Sequence, residues 1–198
     1  MNHSYYIGID PSIVHTGWAV VKIHDDGISS PSPLNSGVIL TDRAEGDGRI
    51  GVVFARLFAE LWDTCKRHDV DPAADRVLAV IEKPHYEEKR KSKHIFSLVA
   101  AAGACVSAVT ALAVPYAYVG VSKWKRDLPE FRIRNRVEQI FPQLKDSWKR
   151  EDEYVAFGLA LWGYAKRGTY PVFQPGIDGG GPWKTGSSTR STQISSLE

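Results

Sequence analysis

Tyr5-Tyr6-Ile7-Gly8-Ile9-Asp10-Pro11-Ser12, followed by Thr16-Gly17-Trp18-Ala19-Val20-Val21-Lys22-Ile23, decides the fold. The first apolar run ends in a carboxylate, Pro11-Ser12 supplies a turn, and a second apolar run returns. Such a pattern predicts strand, acid, turn and strand. Asp25-Asp26-Gly27 opens a loop rich in Ser and Pro, and Ser36-Gly37-Val38-Ile39-Leu40 reads as a third strand. Three consecutive strands on short connections predict an antiparallel meander.

Working outward, Ile50, Val53, Phe54, Leu57, Phe58 and Leu61 fall on one face of a helix. Val77-Leu78-Ala79-Val80-Ile81-Glu82 is apolar throughout, as a strand covered on both faces should be, and it too ends in an acid. An Ala-rich helix is expected from His94 to about Ala113, a strand over Tyr116–Val119, a short helix over Ile133–Ile140 and a last helix from about Lys149 to Lys166. From about Gly176 the chain is Gly, Ser and Thr without periodicity, which predicts a disordered tail. The expected organisation is one domain over 1–170 and a flexible tail over 171–198, whose last residues, Ser196-Leu197-Glu198, are not expected to belong to the fold.

Composition fits one ordinary folded domain: 198 residues, 43% hydrophobic and 24% charged. The net charge of +2 is unevenly spread. His24–Asp75 carries ten acids and five bases, Lys83–Lys93 five bases and two acids, and Lys123–Arg136 six bases and two acids. Two basic stretches on a near-neutral chain point to a confined anionic contact. Cys65 and Cys105 form no CxxC pair and no secreted disulfide pattern, so a reducing cytoplasm is expected. MNHSYYIGID has no signal-peptide character. Ile95–Ser122 runs 28 residues without a charge, but it is Ala-dominated and interrupted by Pro115, so a buried helix and strand are expected rather than a membrane span.

The chemistry lies in the acids. Asp10 and Glu82 each end a strand, and Glu151-Asp152-Glu153 opens the last helix. Adjacent strands ending on one side would gather the first two, and a docked helix start would add more. Clustered carboxylates repel unless they share a proton or bind cations. All-oxygen donors suit Mg²⁺ or Mn²⁺, and two such ions activate water against a phosphodiester. Singly, each acid has a plainer role: Asp10 as a turn residue, Glu82 as a partner for Lys83, and the helix-start acids as favourable dipole partners. His15 and His94 lack any metal-ligand spacing and read as turn and helix-start residues. Trp18 and Trp162 read as core; Trp124, between two lysines, receives no function.

Ile7-Gly8-Ile9-Asp10-Pro11-Ser12-x-x-x-Thr16-Gly17-Trp18-Ala19-Val20 resembles the opening motif of RuvC-type Holliday junction resolvases, which have the RNase H-like fold. Val80-Ile81-Glu82-Lys83 resembles the second acidic strand, the Ala-rich helix around Gly103 the dimerising helix, and Val121-Ser122-Lys123-Trp124-Lys125 the segment with a functional lysine, here Lys125. Arg134 stands where a second base is usual, and Phe141-Pro142 with Lys149–Gly163 is similar to phage-encoded relatives. The resemblance covers about residues 5–166. It implies an α/β mixed sheet, a three-stranded antiparallel meander plus two parallel strands, flanked by helices. It also implies a metal-dependent endodeoxyribonuclease that resolves four-way or other branched DNA by paired nicks, as a homodimer, with Mg²⁺ (Mn²⁺ as substitute), two ions per site. The metal ligands implied are Asp10, Glu82 and Asp152, helped by Glu151 or Glu153, with Lys125 catalytic. His85 or Tyr86 would be the wedge entering the junction, and Lys89, Arg90, Lys91, Lys93, Lys123, Lys125 and Arg134 would hold phosphates. A plain solvated loop is the alternative for Lys83–Lys93. Nothing in the sequence identifies a helicase partner.

The last helix departs from the family. A gapless match puts Asp152 on the first acid and Val155 on the second. Two other functions are therefore weighed: a non-catalytic branched-DNA-binding relative, motivated by Val155, and a phosphotransferase of the sugar-kinase and actin superfamily. The latter shares the opening unit but needs a second domain and Gly-rich nucleotide motifs, which these 198 residues are not expected to supply.

Overall fold

Alternation along the opening runs builds the centre of the molecule. In the computed structural model, which describes residues 3–24, 30–84, 93–127, 130–145, 147, 150–167, 170 and 172–173, these runs form β1 (His3–Asp10), β2 (His15–His24) and β3 (Ser32–Leu40). They are the antiparallel meander, with Asp10 opposite Gly17. On the other side of β1 lie β4 (Arg76–Lys83) and β5 (Tyr116–Gly120), both parallel to it, giving the order β3-β2-β1-β4-β5. β3 begins earlier than expected and takes in Pro33. As an edge strand it tolerates a residue without an N–H, and the register shifts between Val20 and Val21, beside that proline.

Each face of the sheet is covered. On one, Ile7, Ile9, Ala79 and Ile81 pack beneath α1 (Arg49–Arg67) and α2 (Lys93–Ala111). The α1 stripe buries Val53, Leu57 and Leu61, whereas Ile50, at its start, is exposed. Inward-facing Ala101, Ala104, Cys105 and Ala108 let α2 lie close. On the other face, Tyr6, Ala19, Val21 and Val80 pack beneath α3 (Val121–Asp127), α4 (Glu130–Ile140) and α5 (Glu151–Ala165). Helix α3 is not anticipated by the sequence periodicity. Trp18 and Trp162 are buried, as their apolar surroundings imply. No helix among the described residues is long and apolar enough to cross a membrane.

Two local features complete the frame. Phe173 forms a backbone bridge with Tyr116 on the edge of β5, and the chain from 174 on lies outside the described residues. Gly46-Asp47-Gly48-Arg49-Ile50-Gly51 has the spacing of a phosphate-binding turn. It follows an antiparallel edge strand through a 3-10 turn, so it lacks the parallel strand–turn–helix setting that gives this spacing its meaning.

Candidate active site

The register of β1 and β4 brings the two strand-end acids together. Ile9 pairs with Ile81, so Asp10 and Glu82 come next in step on neighbouring parallel strands. Such strands run about 4.8 Å apart. Tyr6 and Val80, four and two residues earlier in alternation, face the α5 layer, and Asp10 and Glu82 share that face.

Two glycines bring α5 down onto the same rim. A Cβ at Gly8 would lie 1.9 Å from the Ala156 carbonyl oxygen, and one at Gly17 would lie 2.1 Å from that of Asp152. Only residues without side chains allow this approach. Because Gly17 is the partner of Asp10, the start of α5 sits one strand from the Asp10 carboxylate. The turn between β1 and β2 is locked by Thr16, whose hydroxyl donates to the Ser12 carbonyl at 2.5 Å while accepting from the Ser12 N–H. His15 and Arg150 are joined at 2.9 Å through Nε2 and Nη1, which ties that turn to the residue preceding the helix acids. His15 is thus the first residue of β2, paired with Leu40, rather than the turn residue expected from its spacing.

The three helix acids diverge. Asp152 is half-buried against Gly17, and Glu151 is exposed. Glu153 is buried and accepts the Ser36 hydroxyl at 2.6 Å, on β3, the edge strand farthest from β4. Val155 is buried in the apolar cluster beneath α5. Among the described residues no three His, Cys, Asp or Glu side chains gather tightly enough to hold a metal ion. Carboxylate oxygens, such as those of Asp10, Glu82 and Asp152, suit a hard divalent cation in kind.

Sequence reasoning missed Trp124. Strand β5 ends level with Glu82, since Glu82 pairs with Val119 and Lys83 with Gly120, and α3 starts at the next residue. Trp124 is fully buried there, and its indole N–H donates to Glu82 Oε2 at 2.8 Å. Lys125 is half-buried, with Nζ 5.6 Å from the Trp124 ring centroid. The signal available was topological: a helical turn that follows a strand parallel to β4 must lie over the rim where Glu82 ends.

The remaining expected residues separate. Lys123 is exposed on α3. Arg134 lies on the outer face of α4 in an i,i+4 ion pair with Glu138 at 2.7 Å. His85, Tyr86, Lys89, Arg90 and Lys91 lie outside the described residues, as does the side chain of Lys93 at the start of α2. Cys105 offers no nucleophile: burial pushes its thiol well up, and the Asp10 carboxylate adds to the shift.

No family model matches the chain. Two curated relatives, each named crossover junction endodeoxyribonuclease RuvC, come from Ehrlichia ruminantium strains Welgevonden and Gardel. Each is 31% identical over 78 residues, 39% of this chain and 47% of the relative. The chain thus matches over about half the length of these relatives. Among solved structures, Thermus thermophilus RuvC in complex with Holliday junction substrate superposes with a TM-score of 0.67 at 23% identity, covering 85% of this chain and 99% of that one. The yeast mitochondrial Holliday junction resolvase Ydc2 gives 0.51 at 10% identity, covering 80% and 78%. The five-stranded mixed sheet and its two helical layers therefore have the RNase H-like fold of the RuvC-type resolvases.

Proposed function

We propose that this protein is a metal-dependent endonuclease that hydrolyses phosphodiester bonds in branched DNA, with the four-way junction as its substrate. The observation that carries the reading is the register-matched pair Asp10 and Glu82 at the carboxyl ends of adjacent strands, with the first turn of α5 held against the same rim by Gly17. Asp10, Glu82 and Asp152 would hold Mg²⁺ or Mn²⁺, two ions in the full site. When bound there, the metal supplies an activated water and neutralises charge at the leaving oxygen. Asp10 and Glu82 orient the reacting phosphate by fixing where positive charge sits. Lys125, half-buried beside Glu82's partner Trp124, holds a phosphate oxygen from the side of α3. The first 170 residues form the nuclease domain, acting in the reducing cytoplasm, where Cys65 and Cys105 stay as free buried thiols. The test is gel cleavage of four-way, three-way and linear DNA with and without Mg²⁺. Mg²⁺-dependent nicking selective for the four-way form is expected; equal cutting of linear DNA would defeat the substrate assignment.

One observation favours a second reading, a non-catalytic DNA-binding relative. Val155 fills the position of a family acid and is buried among apolar side chains. Junction binding without any Mg²⁺- or Mn²⁺-dependent nicking would select it.

The phosphate contacts belong to the Lys83–Lys93 loop, with His85 or Tyr86 as the wedge, and to Lys123, Lys125 and Arg134. Junction affinity should fall with salt at about −0.9 log units per log unit of salt for each phosphate neutralised. Replacing Lys89, Arg90 and Lys91 together by Ala should flatten that slope by about 2 to 3. An unchanged slope would make the loop a solvated face.

The protein acts as a homodimer of about 44 kDa, twice the 22.0 kDa chain. A symmetric junction needs two cuts, which a two-fold pair supplies. The partner surface is the outer face of α2, where Phe96 is 73% exposed, Val99 is exposed and nothing lies within 4 Å of a Cβ built on Gly103. Gly103→Leu therefore leaves the single chain unstrained and should weaken association about tenfold or more in sedimentation, the cost of overpacking a close helix contact. Unaltered association would remove α2 from the interface.

A further inference from the structure

We infer that Trp124 is a positioning residue for the metal site, holding Glu82 in its metal-binding orientation through the indole N–H. The inference rests on the assignment of Glu82 as a ligand above. Trp124 is fully buried, between β4 and α5, in the cluster with Val80, Val119, Ile133 and Phe157. A phenylalanine would fill much of that space. What the indole adds is one donor and no acceptor, and a buried donor left unpaired is costly. The partner is Oε2 of Glu82, at 2.8 Å. A neutral donor on one carboxylate oxygen constrains the torsion of the side chain at the strand end. It does so without the competing positive charge that a lysine or arginine in the same place would bring against a cation. The ring also carries the Lys125 ammonium over it at 5.6 Å, within cation–π range. One side chain thus joins the acid of β4 to the base of α3.

The geometry of α5 gives this bond its significance. Successive helix residues turn by about 100°, so Val155 projects to the side of α5 opposite Glu153. Glu153 reaches β3, and Val155 therefore faces the β4 side, towards Glu82 and Trp124. At the place that the resemblance gives to the second acid of the last helix, this chain has an apolar side chain, and beside Glu82 it has an indole donor. A site with one carboxylate fewer depends more heavily on the exact placing of those that remain.

The experiment measures Mn²⁺ binding to the full chain without DNA, by calorimetry, for wild type, Trp124→Phe and Asp10→Asn. Loss of a group that orients a metal ligand costs about 10–100-fold in affinity, so Trp124→Phe should bind Mn²⁺ about tenfold or more weaker. The Mg²⁺ concentration for half-maximal nicking should rise by the same factor. Wild-type Mn²⁺ affinity in Trp124→Phe, even with lowered thermal stability, would reduce Trp124 to packing and overturn the inference while leaving the site intact. Mn²⁺ binding unchanged by Asp10→Asn would overturn the site itself. If Trp124→Phe fails to fold, the wild-type chain decides: Mn²⁺ should broaden the indole N–H resonance of Trp124 and spare that of Trp62, which lies on α1 near Asp75 at the far end of β4 from Glu82, and equal broadening of the two would overturn the inference.

Discussion

Asp10→Asn is expected to lower four-way-junction nicking by about 10³-fold or more and to leave junction affinity within about twofold, since metal ligation supplies several kcal/mol of transition-state stabilisation at 1.36 kcal/mol per decade of rate. The asymmetry follows from where Asp10 sits. It ends β1 at the rim, outside the packed clusters, and its backbone stays paired to Gly17 whichever side chain it carries. Asparagine keeps the shape, so the sheet and the close seat of α5 on Gly17 survive, and the basic surfaces that bind phosphate are untouched. What is lost is one negative oxygen donor beside Glu82. Glu82→Gln should do the same to nicking. It also turns a charge-assisted acceptor for the Trp124 N–H into a neutral one, so it should lower thermal stability slightly where Asp10→Asn does not. Rates come from single-turnover nicking at saturating enzyme, affinities from gel shift in Ca²⁺ or without metal. Nicking by Asp10→Asn at wild-type rate would remove this rim from the chemistry.

The parts of this site that the sequence made legible are those written in local pattern. A strand that ends in an acid can be recognised twice, at Asp10 and at Glu82, because burial on both faces demands an unbroken apolar run and the first charged residue marks its exit. The meander was readable for the same reason. Helix α3 was not: seven residues with three bases and one tryptophan carry too little periodicity to announce a helix. Trp124 was therefore visible as a residue and invisible as a contact, since its partner Glu82 lies 42 residues away and only the parallel pairing of β4 with β5 brings them level. Glu153 illustrates the converse. Three consecutive acids at a helix start look interchangeable in sequence, yet a helix turns each to a different side, and the partner that claims Glu153, Ser36, is 117 residues distant.

That divergence makes the last helix the sharpest test. Asp152→Asn should be about as inactive as Asp10→Asn, whereas Glu153→Gln should nick within a few-fold of wild type. Asp152 lies where Gly17 holds the start of α5 against the Asp10 side of the sheet, and it is partly open to the rim. Glu153 is 7% exposed and already committed to the Ser36 hydroxyl. Glutamine keeps an acceptor for that hydroxyl, so the anchor of α5 on β3 persists. Glu153→Ala removes it and should cost about 1.5–3 kcal/mol in stability, the range for a hydrogen bond to a charged group. Glu151→Gln, on an exposed side chain, should raise the Mg²⁺ requirement modestly at most. Val155→Asp reads in sequence as restoration of a lost ligand. Its neighbours are apolar, however, so the new carboxylate is unpaired without metal, and the variant should melt lower than wild type in chelator and recover part of the loss in Mn²⁺. The measurements are nicking rate against Mg²⁺ concentration and thermal unfolding with and without Mn²⁺. Normal cutting by Asp152→Asn with an inactive Glu153→Gln would mean that α5 presents a different acid to the metal, and that the Ser36 bond gives way when the site is filled.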